Sequence, residues 1–96
     1  MIELIEFEWD DTKAESNLKK HKVRFSEAAT VWYDDLALEM LDSDHSLNEE
    51  RWVRLGVSST ARILVVVYVE KLEDERIRII SARKATRSEI EQYHSR

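Results

Sequence analysis

The residues best suited to chemistry are cations gathered toward the C-terminus. Residues 76–96 carry Arg76, Arg78, Arg83, Lys84, Arg87 and Arg96 against Glu89 and Glu91, a local charge of +4, whereas residues 1–75 sum to −9. Guanidinium groups bind phosphate oxygens in a two-pronged fashion, so Arg and Lys interleaved with apolar residues on a strand suit a phosphate site. One histidine joins them by pattern. His21 follows Ala14 and Leu18 at helical spacing, which turns it inward beside Lys20 and Lys22. A titratable imidazole near clustered cations suits RNA phosphodiester cleavage. The 2′-hydroxyl must lose a proton, the pentacoordinate transition state gains negative charge, and the leaving 5′-oxygen must be protonated, all without a metal. The plainer readings are a solvated charged face and a histidine that caps its helix C-terminus.

Other chemistries are weaker. Asp42, Asp44, His45, Glu49 and Glu50 offer carboxylates and one imidazole, but without calcium-loop spacing or its glycine. The absence of Cys removes thiol nucleophiles, Cys-ligated zinc and iron–sulfur clusters, and fits a reducing compartment. With one Gly and no Pro, neither a Gly-rich phosphate loop nor a Gly-x-Ser-x-Gly turn exists, so no nucleotide cofactor is expected and no metal. His94 reads as a solvated residue near the terminus. The longest apolar run, Ile63–Val69, is far short of the roughly 20 residues that span a bilayer, and Met1–Asp11 is acidic. No membrane segment or signal peptide is expected, and the location expected is the cytoplasm.

These residues need a scaffold. Ninety-six residues, 43% hydrophobic and 36% charged, suit one domain over 1–96 with a single small core. Leu4–Trp9 alternates as a strand, and Asp10 and Asp11 can cap a helix over Thr12–Lys22. Ser26 can cap a second, short helix over Glu27–Trp32. Leu36–Leu41, Arg51–Ser58 and Arg76–Ala82 alternate as strands, with Asp42–Glu50 a loop, and Ile63–Val69 is apolar on both faces, as a central strand should be. Strict alternation in the last strand sets Arg76, Arg78, Ile80 and Ala82 on one face and Ile77, Ile79 and Ser81 on the other. Thr86-Arg87-Ser88-Glu89 fits a capping box opening a final helix to about His94. The fold class expected is α+β: a short N-terminal strand and two helices packed on a mainly antiparallel four-strand sheet, with a C-terminal helix.

Phe7-Glu8-Trp9-Asp10, Lys13-Ala14, Asn17-Leu18, Lys20-His21, Val23, Phe25, Glu27-Ala28 and the run Ile79–Glu89 together resemble the BrnT toxin family. The likeness spans nearly the whole chain, including the Asp42–His45 loop and Arg51. It implies a type II toxin with a RelE-like fold that cleaves RNA, inhibits translation and arrests growth. It also implies a BrnA-like antitoxin that neutralises the toxin in a heterotetramer and alone touches operator DNA. Carried onto this sequence, the resemblance makes Arg83 and Lys84 the first candidates for phosphate and transition-state stabilisation. Arg78 and Arg51 lie nearby, and His21 is the candidate proton-transfer or orienting group. The alternative is a non-catalytic, antitoxin-binding regulatory module whose cations pair with an acidic partner or cap the last helix. The acidic first 75 residues call for a localised basic groove or a target presented by the ribosome.

Overall fold

The computed structural model describes residues 5–42, 49–71 and 75–95. His45 and Arg96 lie outside the described residues. Strand β1 (Glu6–Glu8) leads into helix α1 (Asp11–His21), then the short helix α2 (Phe25–Ala29), which tightens into a 3₁₀ turn over Thr30–Tyr33. Strands β2 (Leu38–Leu41), β3 (Arg51–Val57), β4 (Ile63–Lys71) and β5 (Arg76–Lys84) follow, and helix α3 (Arg87–His94) comes last. The sheet has five strands in the order β1-β5-β4-β3-β2. The α+β class is as expected, with one strand more than the sequence pattern assigned to the sheet. β1 joins the edge parallel to β5, with Glu6 opposite Arg76, Phe7 opposite Ile77 and Glu8 opposite Arg78. A three-residue strand has too little alternation to reveal its partner; the opposite charges that face each other here supply the match.

The helix ends follow from their capping residues. Asp10 Oδ1 accepts from the Lys13 backbone N–H at 3.1 Å, and Lys22 closes α1 in the left-handed region (φ 60°) with its N–H on the Leu18 carbonyl at 2.9 Å. The capping box at α3 forms as expected: the Thr86 hydroxyl accepts from Glu89 N–H, and the Glu89 carboxylate accepts from Thr86 N–H. The second helix begins earlier than expected and does not continue as α-helix, since its second half is the 3₁₀ turn.

Two layers of helix sandwich the sheet. On one face Val23, Phe25, Ala28 and Val31 pack on Leu64, Val66, Ile79 and Ala82. On the other, Tyr93 of α3 packs on Leu55 and Val65. β4 is therefore central and covered on both sides, as its continuous apolar run requires. Two polar devices fasten the first face. β1 leaves the sheet after Glu8, and the buried Asn17 amide takes over the vacated edge of β5, donating to the Ala82 carbonyl (2.8 Å) and accepting from the Ala82 N–H (3.1 Å). The Glu27 carboxylate of α2 accepts from Ser58, Thr60 and Arg62 across the β3–β4 turn.

One expectation about the faces needs correction. A bulge interrupts the β4–β5 ladder: Val67 lies opposite Ser81 and Tyr68 opposite Ile79, so Ile80 is the extra residue. The alternation flips there. Ile77 and Ile79 share the α1/α2 face with Ala82, while Arg76, Arg78, Ser81 and Arg83 share the α3 face. Strict alternation set Ala82 with the arginines and Ser81 against them; one inserted residue exchanges both.

Candidate functional site

The bulge decides what the α3 face presents. Residues directly opposite on neighbouring strands point to the same side, so the pairs Arg51↔Val69, Val69↔Arg78 and Arg78↔Glu8 form one row running across four strands. Arg51 and Arg78 stand two strand spacings apart, about 10 Å between backbones. Four residues along β4, Val65 lies opposite Arg83, which puts Arg83 on the same face about 13 Å from that row. Arg51, Arg78 and Arg83 therefore line one face, with Val65, Val67 and Val69 between them.

At the β1 edge of this face the charges condense around one carboxylate. Glu8 Oε2 lies 3.4 Å from Lys71 Nζ and 3.7 Å from Arg78 Nη1, and Glu8 Oε1 lies 3.8 Å from Arg76 Nη1. The Arg76 Nε also donates to Glu6 at 3.2 Å. Lys71 reaches Glu8 across β5, which places all four side chains on one side of the sheet.

At the other end Arg83 is engaged differently. Its Nη1 and Nη2 donate to the two Glu89 oxygens at 2.8 and 2.9 Å. Glu89 is held down at a pKa of about 2, chiefly by the Arg83 hydrogen bonds and further by the Thr86 N–H, against the opposing effect of burial. The same pair raises Arg83 above its ordinary value. This two-pronged bond ties the end of β5 to the first turn of α3.

Of the residues expected in the site, the structure brings Arg51, Arg78 and Arg83 to one face. Lys84 lies opposite Leu64, a core residue of the α1/α2 face, so alternation sends its exposed side chain to that side. His21 is half-buried at the C-terminal end of α1, whose next residue, Lys22, accepts from Arg62 beside the β3–β4 turn. Val69 is six residues along β4 from that turn, so His21 sits about 20 Å away from the Arg51–Arg78 row and on the opposite helix layer. The structure does not bring these two residues to the three arginines. Glu8 and Lys71 were absent from the sequence-based set. The signal for Glu8 was there, because Glu6 and Glu8 alternate with the same period as Arg76 and Arg78.

Among the described residues no group of three or more His, Asp or Glu side chains is placed to hold a metal ion. Nor is any helix there long and apolar enough to cross a membrane.

Comparison with known proteins agrees with this architecture. No curated protein sequence matches the chain significantly. The chain is similar to the crystal structure of the Brucella abortus ribonuclease toxin BrnT, with a TM-score of 0.65 at 20% identity, covering 88% of this chain and 100% of that one. At that identity the likeness concerns the fold. The family model for the ribonuclease toxin BrnT of type II toxin–antitoxin systems matches residues 9–89, from the end of β1 to the first turn of α3. The chain belongs to the BrnT family of type II ribonuclease toxins.

Proposed function

We propose that this chain is an endoribonuclease that cuts RNA by internal attack of the 2′-hydroxyl, without a metal, on the α3 face of its sheet. The observation that carries this reading is the row Arg51–Val69–Arg78 with Arg83 above it: fixed cations on rigid strands, spaced to meet phosphates of a backbone. Such groups stabilise the charge that gathers on phosphorus oxygens in the transition state. The metal-free route draws on the arginines themselves, which can supply at the phosphorus oxygens the positive charge that a metal ion would otherwise bring. Lys84 and His21, which lie on the opposite side of the sheet, take no part in this reading. Cleavage of RNA would inhibit translation and growth. A BrnA-like antitoxin, in a heterotetramer, would neutralise it and supply the operator contact.

The test uses purified protein freed of any partner. RNA should be degraded in excess EDTA, leaving 2′,3′-cyclic phosphate or 3′-phosphate ends. Arg51→Ala and Arg78→Ala should each lower the rate about 30- to 1000-fold, equivalent to roughly 2–4 kcal/mol of barrier, while the melting temperature holds within a few degrees. Activity that appears only with an added divalent ion overturns the metal-free route. The Arg83–Glu89 pair favours a second reading, in which the cations are structural and the chain is a non-catalytic antitoxin-binding module. Wild-type protein inert toward RNA under every condition would select it.

A further inference from the structure

We propose that Glu8 is the proton acceptor of the cleavage reaction. The inference rests on the reading above that RNA is cut on the α3 face. That face has arginines in plenty, but the reaction also needs a group to take the 2′-hydroxyl proton, and an arginine side chain stays protonated. Among the described residues the carboxylates on or beside this face include Glu6, Glu8, Glu89 and Asp42, which follows β2 opposite Arg51 at the far end of the row, three strands from Arg78.

Glu89 is committed. Both its oxygens are held by Arg83, one also closes the α3 cap, and its pKa of about 2 makes it a poor base. Glu6 is the outermost, with its side chain 67% exposed at the end of the edge strand, paired only with Arg76. Glu8 differs in place and in company. It stands in the same row as Arg78 and Arg51, its side chain is 27% exposed, and three cations from two strands converge on it: Lys71, Arg76 and Arg78.

Three cations around one carboxylate leave an excess of positive charge. A phosphate that docks beside Glu8 meets that excess, and Arg76 and Arg78 can turn part of their hydrogen-bonding capacity to its oxygens. The Glu8 oxygens keep room for the 2′-hydroxyl, since their contacts with the three cations are 3.4–3.8 Å long. In the step itself a Glu8 oxygen takes the proton of the 2′-hydroxyl while the 2′-oxygen forms its bond to phosphorus. The bond from phosphorus to the 5′-oxygen breaks, and water supplies the proton for the departing 5′-oxygen. A 2′,3′-cyclic phosphate and a 5′-hydroxyl result, and protonated Glu8 returns its proton to solvent.

The experiment uses the full chain with Glu8→Ala, Glu8→Gln and wild type, on an RNA dinucleotide and on a uridine 3′-aryl phosphate, whose leaving group needs no proton. Glu8→Ala and Glu8→Gln should lose at least 100-fold in kcat on both substrates with KM changed less than about threefold. Added formate should restore at least tenfold of the Glu8→Ala rate, since a small carboxylate can occupy the vacated space; Glu8→Gln, still filled, should not respond. A structural role for Glu8 would not produce rescue by formate. Glu8→Gln with wild-type kcat overturns the proposal, as does a rate loss in Glu8→Ala that formate leaves untouched while thermal unfolding shows the variant folded. If either variant fails to fold, Glu8→Asp, which keeps the charge, decides: retained folding with a partial kcat supports the proposal, and wild-type kcat overturns it. Failure of the reading beneath it looks different, because wild-type protein would then be inactive on both substrates.

Discussion

The two faces of the sheet treat charge in opposite ways. On the α1/α2 face Glu27 and Arg54 are matched and built into the packing: Glu27 takes Ser58, Thr60 and Arg62, while Arg54 donates to the Val31 and Asp34 carbonyls, pairs with Glu39 at 2.9 Å and lies over the Trp32 ring. Charge there fastens helices to strands. On the α3 face cations outnumber carboxylates, with Lys71, Arg76 and Arg78 sharing Glu8. An arrangement left unbalanced on one side of a sheet is costly unless a ligand completes it, and a phosphate chain is the complement that fits. The lesson is that stability and binding are divided between the two faces, so mutations should separate along the same line.

The most severe break is Phe25→Ala. Phe25 is 2% exposed in the core between α2 and the sheet, and its ring meets Trp9 edge-on at 6.0 Å. Removing it should cost about 3–5 kcal/mol. A 96-residue domain has little stability to spare, so most of the protein should be unfolded or insoluble in denaturant titrations at room temperature. If instead the loss is below about 1 kcal/mol, the α1/α2 face is not the stabilising one, and the division fails.

A gentler test reads the same face through pH. The Arg62 hydrogen bonds, helped by those of Ser58 and Thr60, hold Glu27 at a pKa of about 2 rather than its ordinary 4.5, against the opposing effect of burial. The folded state thus favours the anion. The stability this contributes is complete above about pH 4.5 and disappears as pH falls toward 2, in total on the order of 2–3 kcal/mol. Glu27→Gln should lower the urea midpoint at pH 7, and the gap from wild type should close between pH 4.5 and 2. A gap that stays constant over that window would show that Glu27 acts through its shape and not its charge.

Much of this division was legible beforehand. The continuous apolar run of β4 announced a strand covered on both sides, Thr86 and Glu89 announced the cap of α3, and the alternation of Arg76 and Arg78 announced a cationic face. What stayed hidden depends on tertiary placement. A single inserted residue at Ile80 re-aims all of β5 beyond it, and nothing in the identity of Ile80 marks a bulge. The parallel docking of β1 was hidden in three residues, which is why Glu8 was read as one side of an alternating strand and not as the partner of three cations. His21 was drawn into the candidate set by helical spacing, which fixes that a residue faces inward but not which end of the sheet it faces.

The smallest effect sits at the point where the two roles meet. Arg83 belongs to the α3 face by register, yet its side chain, 41% exposed, bonds Glu89, 25% exposed, in the manner of the structural pairs opposite. Partly exposed pairs are screened by water, so Arg83→Ala should cost no more than about 1 kcal/mol of stability. Glu89→Gln is the sharper partner variant, because glutamine can still accept from the Thr86 N–H and keep the α3 cap while it loses the charge that faces Arg83. A double-mutant cycle on thermal or urea unfolding should give a coupling of about 0.5–1 kcal/mol, and RNA cleavage in the same variants should separate the roles. If Arg83 meets the substrate, Arg83→Ala loses activity roughly 30-fold or more, whereas Glu89→Gln, which frees the guanidinium, keeps it or gains. Lys19→Ala on the exposed side of α1 should leave both measurements unchanged. Equal loss of activity in Arg83→Ala and Glu89→Gln, in step with a coupling above about 2 kcal/mol, would instead make the pair a fastening of α3 and move the boundary between the two regions onto the α3 face itself.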